Sequence, residues 1–254
     1  MANRAYLYSL TNRPTAYTDR PEAISGLSEW PYDIPFSYRL LMSGDPQLCA
    51  SLIAPGLEED EPDHRTRLVA ISSVFELGYQ RWVKFADIVR HLVHMPVVAQ
   101  PERKGLWSRL FRPAPAATAS AAPAQGLLCG LDETQDVLDQ HRHPYLLLET
   151  VELDLMRTYE EQALRASVEA ELARCRQAGQ ALDALSDDVA AAANRLREAT
   201  TQKMAAPLDA FYGLRLDDDY DNLPNRKTER PLGLEWSDVL YFHLANQAEF
   251  KPEP

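Results

Sequence analysis

The chain is short of cysteine, glycine and histidine, with three, ten and six in 254 residues. Each shortage removes a class of protein. Cys49, Cys129 and Cys175 are too few and too widely spaced for a disulfide framework or a four-thiolate zinc site. Reduced thiols suit a cytoplasmic setting. Cys49 lies between Leu48 and Ala50, Cys129 between Leu128 and Gly130, and Cys175 on an apolar helical stripe, so all three are expected as packed, unreactive side chains. The scarcity of glycine argues against a Gly-rich nucleotide-binding fold. Neither a phosphate-binding loop nor a Gly-x-Ser-x-Gly elbow occurs. No apolar run approaches the ~20 residues of a membrane span. The first ten residues lack the apolar core of a signal peptide.

What the chain does carry is negative charge: 38 Asp and Glu against 26 Lys and Arg, a formal net of −12. The carboxylates run together at Glu58, Glu59, Asp60 and Glu61, and again at Asp217, Asp218, Asp219 and Asp221. Such a body repels nucleic acid and anionic membrane and attracts a basic protein. One island is basic instead. Arg103, Lys104, Arg109 and Arg112 surround Leu106, Trp107, Leu110 and Phe111. It leads into PAPAATASAAPAQ at 113–125, which has no large apolar side chain to offset ordering entropy. Residues 101–125 are therefore expected as a flexible insertion whose basic end contacts the acidic body or a partner.

Apolar residues make up 45% of the chain, enough for a sizeable core. Residues 4–10 read as a strand. Residues 11–35, with Pro14, Pro21, Pro31 and Pro35 among Tyr17, Trp30 and Tyr32, read as a loop-rich segment that packs on the body. A short helix is expected over Phe36–Met42, and a second from Asp45-Pro46 through Ile53. Arg67–Phe75 reads as a strand. Trp82, Phe85, Val89 and Val93 then recur at helical spacing. Tyr145–Met156 reads as a strand with a tail of alternating residues. Leu164, Val168, Leu172, Cys175, Leu182, Leu185, Val189 and Leu196 draw one apolar stripe over 158–203. Ala178-Gly179 and Ser186-Asp187-Asp188 offer a stop and an N-cap, which favours a hairpin over a single rod. A last helix is expected behind Ser237 and Asp238. These elements specify an α+β fold, helix-dominated, in one domain over 1–254. It has a small sheet of three strands distant in sequence and a long helical hairpin.

Candidate chemistry is sparse. His91 and His94 share a helix face with Asp87 four residues before His91, an incomplete ligand set for zinc. Asp139, His141 and His143 offer a general acid–base pair or a metal edge, but read first as a solvated turn before a strand. The Asp217 run resembles a calcium loop in its first three ligand positions. It carries Asn222 where glycine is required and Thr228 where a bidentate Glu is required. No catalytic residue, metal or cofactor is assigned.

The phrases MANRAYLYSL, Arg20-Pro21-Glu22, ISGLSEW at 24–30 and LMSGDP at 41–46 resemble an uncharacterised family of bacterial proteins, over roughly the first hundred residues. The resemblance brings no catalytic residues. Some acidic, motif-poor bacterial proteins of this kind neutralise toxins delivered between competing cells. The expected function is therefore a cytoplasmic interaction protein, an immunity protein that binds a cognate basic toxin through Glu58, Glu59, Asp60, Glu61, Asp217, Asp218, Asp219 and Asp221. The alternatives are a hydrolase using the His/Asp cluster, and a helical adaptor that self-associates through the long stripe.

Overall fold

The computed structural model describes residues 3–57, 66–95 and 124–251. The acidic run at 58–61, the basic island and the insertion up to residue 123 lie outside the described residues.

Among the described residues five antiparallel strands pair in the order β2-β1-β5-β4-β3: β1 Arg4–Leu10, β2 Ile24–Pro31, β3 Gln47–Ala50, β4 Val69–Val74 and β5 Tyr145–Glu149. The three strands expected from apolar runs are the three in the middle. Buried on both faces, they carry apolar side chains at successive positions. The two edge strands carry weaker signals. β2 holds Ser25, Gly26, Ser28 and Glu29, and its register against β1 shifts between Leu7 and Tyr8. β3 occupies part of the stretch read as a helix. Pairing of Gln47 through Ala50 with Ser72 through Val69 overrides that local pattern.

Among the described residues six α-helices pack with the sheet: α1 Phe36–Leu41, α2 Phe75–His94, α3 Gln125–Gln140, α4 Val151–Leu155, α5 Glu161–Asp183 and α6 Val189–Thr201. α5 and α6 are the two helices expected over this stretch, joined by a short turn, but each packs on another element: α6 on α2 and α5 on α1. Asp188 caps α6, its Oδ1 accepting a hydrogen bond from the Ala191 amide at 2.7 Å. Their apolar stripe is buried from Leu164 to Leu185 and again at Leu196, within the core rather than on a free face. α2 crosses the end of α1 so closely that a Cβ at Gly78 would collide with the Leu41 carbonyl oxygen.

Two further expectations are corrected. Val151–Leu155 does not prolong β5 but turns into α4, with the Thr150 hydroxyl donating to Asp154 at 2.7 Å. Five residues are too few to separate period 2 from period 3.6. The segment behind Ser237 is not helical. It runs as an irregular strap, with Leu240, Phe242 and Leu244 packed on the sheet and Val239, Tyr241 and His243 exposed. That is an extended chain's alternation.

The sheet thus has two differently covered faces. Ala5, Leu7, Ile71, Leu146 and Leu148 face the helices and join the main core around Trp82 and Phe85. Tyr6, Tyr8, Leu10, Cys49, Ala70 and Leu147 form the opposite face, covered by the strap. The strap is tied by Ser237 N to Leu27 O at 3.0 Å, by the Tyr8 hydroxyl to Phe242 O at 2.7 Å and by Gln247 N to Pro21 O at 2.9 Å.

Candidate functional site

The end of β2, the turn into α1 and the α4–α5 junction meet at one place. Two adjoining cavities open there, of about 200 and about 560 Å³, and Tyr32, Asp33 and Arg157 line both. The proline-bounded segment 31–35 builds the shared wall. Tyr32 sits at φ 65°, the one non-glycine residue at positive φ among the described residues. Its amide donates to Asn3 O at 3.0 Å, and more than half of the side chain, 56%, remains exposed. Asp33 Oδ1 accepts from the Ile34 amide at 2.7 Å.

The smaller cavity is walled by two buried carboxylates. Asp154 accepts hydrogen bonds from the hydroxyls of Thr150 and Ser167. Glu171 on α5 accepts from Arg39 Nε at 2.6 Å and from Arg174 Nε at 2.5 Å. Burial opposes charge on Glu171, but Arg39 and then Arg174 outweigh it and hold the carboxyl below its usual range. Met156, 55% exposed, completes this wall.

The larger cavity is lined by Trp30 and Tyr32 and by Asp221 and Glu235 from the C-terminal loops. Asp221 Oδ1 accepts from the Gly233 amide at 3.0 Å. Burial, with Glu235 adding to it, pushes its carboxyl up to about 6, against the backbone amides of Gly233 and Leu234.

The structure divides the acidic run of the C-terminal part. Asp221 enters the larger cavity. Asp217 turns to Arg215, which donates to both of its oxygens at 2.9 and 2.8 Å, and its Oδ1 also accepts from the Asp219 amide at 3.0 Å. Asp218 and Asp219 are exposed. Glu58, Glu59, Asp60 and Glu61 lie outside the described residues.

The histidine clusters are spread out. His91 and His94 are exposed on α2, and Asp87 pairs with Arg90 at 3.1 Å. Asp139 accepts from the Tyr79 hydroxyl at 2.8 Å and meets Arg142 at 3.0 Å rather than an imidazole. His143 lies 3.2 Å from the Ser25 hydroxyl, its own amide donating to Ser9 Oγ at 3.1 Å. Burial, and then His141, lower its pKa. Among the described residues no group of three His, Cys, Asp or Glu side chains is placed to hold a metal ion, and no helix is long and apolar enough to cross a membrane. Cys49 and Cys175 are buried as expected, but Cys129 is exposed on α3, its thiol donating to Glu133 at 3.2 Å.

The sequence reading missed a third buried carboxylate. Glu149, the last residue of β5, is fully buried. It accepts from the Ser51 hydroxyl at 2.9 Å and the Leu52 amide at 2.7 Å, while Arg20 donates to Leu52 O at 2.9 Å. Burial dominates and pushes its carboxyl up to about 7. The signal is one Glu closing an apolar run, YLLLE, which reads equally well as a surface strand end.

None of the curated proteins and none of the solved structures compared with the chain matches it. A family described as a domain of unknown function (DUF7822) matches residues 11–110, in keeping with the resemblance to an uncharacterised family.

Proposed function

We propose that the chain is a cytoplasmic interaction protein, an immunity protein that binds and blocks a basic bacterial toxin. The observation that carries this reading is the exposure of Tyr32 and Met156 on the walls of one cleft, on a chain of net −12. Large apolar side chains kept out of the core beside a cleft act as contact anchors. The negative surface charge steers a cationic partner and raises its on-rate.

The test is co-expression with the protein encoded by the neighbouring gene, followed by co-purification across a salt series. A complex that weakens as salt rises, protects cells from that protein's toxicity and is lost in Tyr32→Ala/Met156→Ala is expected. A neighbouring product that neither binds nor is neutralised overturns the reading.

A further inference from the structure

The larger cavity has a chemistry of its own. We infer that it receives an arginine side chain from the basic protein partner, an inference that rests on the function proposed above. About 560 Å³ holds a full arginine side chain with room for water. Trp30 and Tyr32 give the cavity aromatic walls, on which a planar guanidinium stacks and a compact ammonium gains less.

Charge points the same way. Among the described residues, Asp33, Asp221, Glu229 and Glu235 line the cavity against Arg157 and Arg226. Glu229 already faces Arg215 at 3.5 Å, and Asp33 lies 3.9 Å from Arg39. Asp221 and Glu235 are left as the carboxylates for an incoming cation. The upward shift of Asp221, caused by burial and by the charge of Glu235, marks a desolvated negative potential that a guanidinium would relieve. The occupant is borne on a protein rather than free. Tyr32, Asp33 and Arg157 continue into the neighbouring cavity, where exposed Met156 extends the apolar contact beyond the reach of a small amine.

The probes are N-acetyl-arginine amide, N-acetyl-lysine amide and N-acetyl-aspartate amide, titrated into the full chain and followed by amide chemical shifts. The arginine probe is expected to saturate with a Kd on the order of 1 mM. The lysine probe should bind several-fold more weakly, and the aspartate probe should not bind. Glu235→Gln alters an exposed side chain only and should weaken the arginine probe about tenfold, while Arg157→Ala/Arg226→Ala should tighten it. Binding of the aspartate probe that is lost in Arg157→Ala/Arg226→Ala overturns the inference in favour of an anion site. Failure of all three probes overturns it too. A toxin complex that forms normally with Glu235→Gln refutes the arginine pocket and leaves the interaction reading standing. Absence of any complex refutes the interaction reading itself.

Discussion

Glu149 and Glu171 are both buried carboxylates, one at the end of the sheet's central strand and one on the helix that packs beneath it, yet their protonation is pushed in opposite directions. Glu171 meets two guanidiniums at hydrogen-bond distance. Glu149 meets a hydroxyl and an amide, with Arg20 engaged on the Leu52 carbonyl instead. Burial opposes charge at both sites. Direct ion pairing outweighs it, and two neutral donors do not. The helix side of the sheet therefore holds a permanent ion cluster, and the side bearing the loop after β3 holds a carboxyl that titrates close to neutrality.

The strongest way to break this comparison is to remove Arg39. Its side chain and that of Glu171 are largely buried, so Arg39→Ala leaves a carboxylate with only the half-exposed Arg174. A loss of about 3–5 kcal/mol is expected in urea unfolding. Arg39→Met/Glu171→Met, which removes the charge with its partner, should be markedly less destabilised than the two single variants sum to.

The pH dependence sharpens it. With a folded value of about 7 against an ordinary 4.5, Glu149 keeps its proton in the folded chain while the unfolded chain has lost it. Its stabilising contribution is complete below 4.5, falls as pH rises and is gone above about 7, a change of about 3 kcal/mol at 1.4 kcal/mol per unit. Glu171, shifted down, acts with the opposite sign. Its contribution is present above its ordinary value and is lost as pH falls through the lowered one. Urea midpoints at pH 5 and pH 8 should show the first slope in the wild type and its loss in Glu149→Gln. An unchanged slope in that variant would refute the assignment.

The covers of the two sheet faces differ as much as the carboxylates. Leu244 is buried by a strap with no helix or strand of its own, so Leu244→Ala tests whether the strap is part of the cooperative core. A loss of about 2–3 kcal/mol is expected. Hydrogen exchange should quicken at the Ser237 and Gln247 amides, which tie the strap to β2 and to the loop before it.

The same contrast explains what could be read in advance. β1, β4 and β5 were legible because burial on both faces leaves consecutive apolar residues, and α5 and α6 because one stripe and one cap mark them. β2 and β3, pairing on one side only, left no such run. In the strap the alternation of Leu240, Phe242 and Leu244 was present, but a serine and an aspartate ahead of it read as a cap. Of the cleft, Trp30, Tyr32 and Asp221 stood out by type. Arg39 and Glu171 did not, since they are 132 residues apart and nothing local links an arginine on one helix to a glutamate on another.

The smallest expected effect lies where sequence and structure agree most closely. Asp188 closes the turn between α5 and α6, and its carboxylate takes the Ala191 amide, one of the donors that the first turn of a helix leaves without a partner. Its side chain is exposed, so replacement removes the cap without opening the core. Asp188→Ala should lower stability by about 1 kcal/mol, and Asp188→Asn, which keeps the acceptor, by much less. Because α6 packs on α2 rather than on the strap, the loss should appear as quicker exchange in α6 with the strap unaffected. Equal quickening on both faces of the sheet would mean that they unfold as one unit despite their different covers.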